Sequence, residues 1–359
     1  MTPEHRYGEM TDAQVAEAIE AARRTLGRDL TILGHHYQRD EVIRHADYCG
    51  DSLDLSRRAA ASHEARHIVF CGVHFMAETA AILCAPGQTV VQPVIEALCP
   101  MAALANAADT AEAYGALTAM WGDDVTPITY QNSAAAVKAF VGQHGGAVCT
   151  SSNAERLFRW GFGRTGHLLF LPDEHLGTNT ALAMGIPRDE IGVWDYADPP
   201  DPASLAHCRV VVWNGYCYVH TTMTAEDVLR ARKEYPGALV VVHPECPHEV
   251  VALADRAGST TGIIEAVEAA PAGSTIVVGT EWHLVNRLAQ EHPDKRVLPL
   301  RRVGCKTMGM TTARDLLSAL DAIIAGTPDN IVTVDDDTAH WARVALERTR
   351  ILAPVDGTV

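Results

Sequence analysis

Nine cysteines stand in this chain of 359 residues, at positions 49, 71, 84, 99, 149, 208, 217, 246 and 305. An odd number with no C-x-x-C pair argues against a disulfide framework, a zinc ribbon or a ferredoxin motif, so any metal site draws its ligands from far apart. Cys217 stands in VVVWNGYCYVH, an apolar run of strand type that ends in a glycine, the thiol and His220. A free cysteine there can be core filler; as a thiolate beside an imidazole it can also ligate metal. Three other apolar runs end in polar groups: LTILGHHYQ in His35 and Tyr37, TPITYQNS in Tyr130 and Asn132, ALVVVHPEC in His243 and Glu245. His243 and Glu245 are two apart, hence on one side of an extended segment, and such a pair suits proton transfer.

The elements that must position these residues recur. Each of the three runs is followed by a short helical stretch and a small-residue turn carrying hydroxyls, CGDSLDLS, CTSSNAERLF or AGSTTGII. A further apolar strand comes next (HIVFCGVHF, HLLFLPDEHLG, STIVVGTEWH), and then one cysteine near a turn (EALCPMA, WNGYCYVH, RVGCKTM). His35 to Ser52 spans 17 residues, Tyr130 to Ser151 spans 21 and His243 to Thr260 spans 17; the first polar residue to the cysteine spans 64, 87 and 62. The middle copy carries an insertion, placed in IPRDEIGVWDYADPPDPASLAHC. Alternating strand and helix predicts parallel sheets with helices on both faces, and ligands bind beyond the carboxyl ends of such strands. The expected fold is α/β, three similar α/β/α domains around a pseudo-threefold axis with the active site at the centre. The expected segments are an N-terminal helix (1–27), repeats at 28–118, 119–235 and 236–320, and a C-terminal helical extension (321–359).

Cys99, Cys217 and Cys305 occupy matching places in the three copies. They could hold zinc, with His220 as a fourth ligand, or a cluster of iron and sulfide with one iron left open as a Lewis acid. Cys71 reads as an apolar strand filler, Cys84 sits in a helical stretch, and Cys49, Cys149 and Cys208 have no counterparts. Cys246 is set aside because its counterparts are Gln38 and Ser133. The turns with Ser52, Ser151, Ser259 and Thr260 stand at expected helix starts, where free N–H groups and the helix dipole favour anions. SNAE, Ser152 to Glu155, reads as a capping box. His74, His175 and His283 read as structural.

The formal charge of −16 repels nucleic acid and anionic membrane surfaces, so an anionic ligand needs a local site. No apolar run is long enough to span a bilayer and the N-terminal stretch lacks a signal-peptide core, so a cytoplasmic location is expected.

The motifs HHYQ, GDSLDLS, FCGVHFMAETA, YQNS…VK, CTSSNA, LPDEHLG, WNGYCYVH, HPEC, GSTTGI, VGTE and GCKTM occur in order from about 30 to 352. In this order they resemble the quinolinate synthase family. The resemblance implies a [4Fe–4S] cluster on Cys99, Cys217 and Cys305. It implies condensation of iminoaspartate with dihydroxyacetone phosphate to quinolinate, the precursor of NAD, with release of phosphate and water, and a functional link to the aspartate oxidase that supplies iminoaspartate. By motif, the substrate-contacting positions are His35, Tyr37, Ser52, Tyr130, Asn132, Ser151, His220, His243, Glu245, Ser259 and Thr260. Glu245 is then the leading general base, with Tyr37 and His243 assisting proton movement. Three places depart from the family pattern: EALCPMA, where glycine and serine usually flank the cysteine; His36, where a second tyrosine is usual; and CKTMGM, where a Met-Lys pair is common. Rivals from other classes are a zinc hydrolase using Cys217 and His220, and a non-catalytic iron–sulfur sensor.

Overall fold

The first strand of every repeat is apolar along nearly its whole length rather than alternating, the pattern of a strand covered on both faces. In a computed structural model, which describes residues 6–352, these runs are the inner strands of three sheets. Positions 1–5 of the expected N-terminal helix and 353–359 of the expected C-terminal extension lie outside the described residues.

The chain divides into two compact units. One comprises the residues up to Cys99 with Glu281–Arg287 and Gly304–Val334. It holds β1 (Leu30–His35), β2 (Tyr48–Gly50), β3 (His67–Cys71) and β4 (Thr89–Val91), ordered β2-β1-β3-β4. The helix Asp12–Leu26 starts with a capping box formed by Thr11 and Gln14 and buries Val15 and Ile19. Those side chains share one core with Leu30, Ile32, Val69 and Val91 of the sheet and Leu316, Leu317 and Leu320 of the helix Ala313–Ile324. Cys71 is fully buried in that core, as a strand filler should be.

The other unit comprises Pro100–Thr280, Leu288–Val303 and the residues from Asp335 on, with two sheets. The first has β5 (Val125–Tyr130), β6 (Ala147–Cys149), β7 (His167–Leu171), β8 (Ile191–Trp194) and β9 (Val210–Trp213), ordered β6-β5-β7-β9-β8. The second has β10 (Leu239–Val242), β11 (Arg256–Ala257), β12 (Thr275–Gly279) and β13 (Arg296–Pro299), ordered β11-β10-β12-β13. Every strand pair within the three sheets is parallel. Without β8 the middle sheet has the order of the other two, and β8 lies inside the segment read from the sequence as an insertion. The helix Asp336–Leu352 packs on the helix Ala135–Gln143 so closely that a Cβ at Gly142 would stand 2.0 Å from the Trp341 carbonyl oxygen.

Pairing register aligns the copies residue by residue. Gly34 pairs with Cys71, Thr129 with Leu171 and Val242 with Gly279, so the next residues, His35, Tyr130 and His243, are counterparts. Among the described residues no helix is long and apolar enough to cross a membrane.

Candidate active site

In the smaller unit β1 ends on His35, which is 4 % exposed, and the chain turns at once: the Gln38 N–H bonds to the His35 carbonyl. The Tyr37 N–H donates to His35 Nδ1 at 3.1 Å, which leaves Nε2 as the position for a ring proton. The same turn follows β10. There the Cys246 N–H bonds to the His243 carbonyl, and the Glu245 N–H lies 3.3 Å from His243 Nδ1. The expected extended geometry at HPE is therefore replaced by a turn through Pro244. His243 and Glu245 still meet, Nδ1 to Oε2, at 3.8 Å.

Around Glu245 the larger unit assembles a buried cluster. His220 leaves the short helix Tyr218–Thr221 and brings Nδ1 to 2.7 Å from Glu245 Oε2, although the N–H is not aligned as a linear hydrogen bond. Its Nε2 lies 3.1 Å from the Thr280 hydroxyl. The His220 and His243 rings stack at 4.5 Å between centroids, and Tyr130 hydrogen-bonds to the Glu245 carboxylate. Burial alone would raise the Glu245 pKa; the imidazoles of His243 and His220 close to the carboxylate and the hydrogen bond from Tyr130 instead hold it down at about 2. For His243 burial dominates and pushes the pKa down to about 3. The cluster is thus a buried carboxylate facing a neutral His243 ring. A sulfur of Cys217, a ring nitrogen of His220 and an oxygen of Glu245 also lie within 4.8 Å of one another, close enough to share one metal ion.

Asn132, on the turn after β5, has a buried Oδ1 with no hydrogen-bond partner, an unspent acceptor in a polar neighbourhood. The expected hydroxyl sites divide. Ser259 is the N-cap of the helix Thr260–Ala269 and accepts the Gly262 N–H at 3.2 Å, and Thr260, 5 % exposed, is its first residue. Ser52 opens the helix Ser52–Ala61, but Asp51 Oδ1 accepts the Asp54 N–H there. Ser151 lies in the turn before the helix Ala154–Phe162, and the expected SNAE box does not form. Instead Ser152 bonds to the Thr150 hydroxyl, Asn153 accepts the Thr150 N–H, and Glu155 pairs with Arg159.

The nine cysteines separate by setting. Cys71, Cys149, Cys208 and Cys246 are buried, and burial pushes each thiol pKa up, that of Cys71 to about 12, so they stay protonated. Cys99, Cys217 and Cys305 are half-buried and lie on loops after β4, β9 and β13, whereas Cys84, also half-buried, ends the helix His74–Leu83 and bonds to the Ala81 carbonyl. Two matching backbone bonds align Cys99 and Cys217: His74 N–H to the Ala97 carbonyl and Glu174 N–H to the Gly215 carbonyl, each two residues before the cysteine. Soft, accessible sulfurs on loops are the donors an iron–sulfur group requires. Cys49, exposed, instead lies 3.2 Å from His36 Nδ1. His74 and His283 bond to Gln92 and Glu281, as supporting residues do. Glu281 and Asp173, buried carboxylates next to the cysteine loops, stand in the motifs VGTE and LPDEHLG but are not among the expected site residues; their sequence signal is a shared offset two residues past β7 and β12.

Comparison with known proteins finds relatives over nearly the whole chain. The family model described as "Quinolinate synthetase A protein" matches residues 17–350. The chain is 46 % identical over 354 residues to the quinolinate synthase of Corynebacterium glutamicum, covering 97 % of this chain and 90 % of that one. It is 45 % identical to that of Lysinibacillus sphaericus (97 % and 96 % covered) and 44 % identical to that of Bacillus cereus (97 % and 95 %).

Proposed function

The chain belongs to the quinolinate synthase family, and from that membership we propose that it makes quinolinate for NAD biosynthesis by condensing iminoaspartate with dihydroxyacetone phosphate, releasing phosphate and water. The observation that carries the reading is the buried Glu245 carboxylate with His220 at 2.7 Å, His243 at 3.8 Å and Tyr130 bonded to it. A deeply buried carboxylate kept ionised beside imidazoles is an arrangement for taking and passing protons, which every carbon–carbon condensation and dehydration needs.

Cys99, Cys217 and Cys305 would hold a [4Fe–4S] cluster, and the supports are their half-burial, their matching positions and the inert burial of four of the other thiols. Three protein thiolates leave one iron open, and an open iron supplies Lewis-acid help for the departure of a hydroxyl as water. The residues of the chain do the rest. Glu245 acts as the base, and His220, oriented by Thr280 and 2.7 Å from the carboxylate, passes the proton at Nδ1. His243 and His35 each accept a backbone N–H at Nδ1 and so present Nε2–H to a ligand, with Tyr37 beside His35 at 4.8 Å between ring centroids. Asn132 offers its unspent Oδ1, and Ser52, Ser151, Ser259, Thr260 and their helix starts hold the phosphate and carboxylates. The matching strand orders support three repeats; the reading bounds them as in the sequence and sets them around a pseudo-threefold axis. The reading places the enzyme in the cytoplasm, downstream of an aspartate oxidase that supplies iminoaspartate.

The grouping of Cys217, His220 and Glu245 within 4.8 Å favours one second reading, a single zinc ion in a hydrolase. Iron, sulfide and zinc assays on anaerobically purified protein separate the two. The proposal expects a brown protein with about four irons and four sulfides per chain, the composition of the cluster type; colourless protein with one zinc would overturn it.

A further inference from the structure

Three side chains tie the cysteine-bearing loops to the helix starts that follow the third strands, and they are not alike. Register puts Val73, Asp173 and Glu281 at the same place, two residues beyond β3, β7 and β12. Asp173 and Glu281 are both completely buried. Glu281 Oε1 accepts the N–H of Cys305 at 3.0 Å and lies 2.8 Å from His283 Nδ1, while Oε2 accepts the His283 N–H at 2.7 Å. Asp173 Oδ1 accepts the Leu176 N–H at 2.6 Å, and the amides of His175 and Cys217 face the same carboxyl. Where the first repeat has Val73, the tie comes from Gln92, also fully buried. Its Nε2 donates to the carbonyls of Gly72 and Ala97, and its Oε1 sits 2.9 Å from His74 Nδ1.

A helix cap does not explain this arrangement. A cap needs only the amides one turn ahead, but Glu281 also reaches across 24 residues to Cys305 and Asp173 faces an amide 44 residues on. Burying a carboxylate is costly unless several N–H groups converge on it, so its place on a cysteine amide needs a return. Amides next to iron–sulfur sulfurs normally bond to them and raise the reduction potential, whereas negative charge lowers it. A carboxylate on the cysteine amide removes that donor, adds charge and fixes the loop.

We propose that Glu281 is a positioning residue that sets the Cys305 loop and lowers the reduction potential of the group bound there, with Asp173 and Gln92 fixing the Cys217 and Cys99 loops. This rests on the reading that Cys99, Cys217 and Cys305 hold an iron–sulfur cluster.

The test compares anaerobically reconstituted wild type with Glu281→Gln, Glu281→Ala and Gln92→Ala by redox titration followed by electron paramagnetic resonance, by the rate at which a chelator strips iron, and by thermal melting. Glu281→Gln keeps an acceptor for the Cys305 N–H and removes the charge, so its midpoint moves up while iron content stays full. Glu281→Ala loses the tie, and iron leaves about 10-fold faster or more. Gln92→Ala speeds iron loss with a smaller change of midpoint. If Glu281→Ala does not fold, the midpoint of Glu281→Gln decides. An unchanged midpoint in Glu281→Gln, or lowered melting with unchanged chelation in Glu281→Ala, overturns the inference with the cluster reading intact. Wild type without iron–sulfur absorption overturns that reading instead, and the inference with it.

Discussion

His220 Nδ1 lies 2.7 Å from Glu245 Oε2, and neither side chain is more than 3 % exposed. Two segments 25 residues apart are brought together here, one leaving β9 and the other β10. Glu245→Gln keeps the shape and removes the base. Quinolinate formation should drop by roughly 100-fold or more with iron content unchanged. Near-normal turnover would remove the pair from the mechanism.

The cysteine assignment predicts a division. Replacing Cys99, Cys217 or Cys305 by serine should abolish iron binding, whereas Cys71→Ser and Cys246→Ser, in buried sites, should lower melting temperature and keep iron. Iron retained in Cys217→Ser, or lost in Cys71→Ser, would show the ligand set to be wrong.

Acid should destabilise the protein before its carboxylates titrate. Burial, with Arg287 adding to it, lowers the His36 pKa from 6.5 to about 4, and burial lowers that of His243 to about 3. A histidine with a depressed folded pKa adds stability above its unfolded value, and that stability is lost as pH falls, because unfolded chains take up the proton first. Denaturant melts should therefore show stability falling from pH 6.5 toward pH 4, more gently in His36→Tyr. A wild-type profile flat over that range would contradict both rings being held neutral in the folded chain.

Ser259 and Thr260 should behave differently although they are neighbours. Ser259→Ala removes a cap bond to Gly262 and, besides weakening anion binding, should cost about 1 kcal/mol of stability. Thr260→Ala should weaken dihydroxyacetone phosphate binding by roughly 10-fold to 150-fold, the loss of one hydrogen bond to a charged group. Titration with thermal melts in parallel checks both; unchanged affinity in Thr260→Ala would leave the helix start without an anion-binding role.

Legibility in the sequence followed length and continuity. The long apolar runs β1, β3, β5, β7, β9, β10 and β12 announce themselves, and so does the order of polar groups at their ends. Strands of two or three residues such as β2, β6 and β11 carry no periodicity and read as turns. HPE reads as extended because alternation is visible and a backbone turn is not. The SNAE pattern was satisfied on paper, yet Thr150 and Asn153 take the local bonds first. LPDEHLG and VGTE show Asp173 and Glu281 without their partners, because the cysteine amides they face lie 44 and 24 residues on.

The central claim is the reaction itself. Anaerobically reconstituted protein is mixed with dihydroxyacetone phosphate and an aspartate oxidase that generates iminoaspartate, and quinolinate is measured by chromatography with mass detection. The account predicts quinolinate accumulating with the wild type and about a hundredth of that rate or less with Glu245→Gln and with Cys217→Ser. No quinolinate from cluster-loaded wild type, or equal rates from the two variants and the wild type, would contradict it.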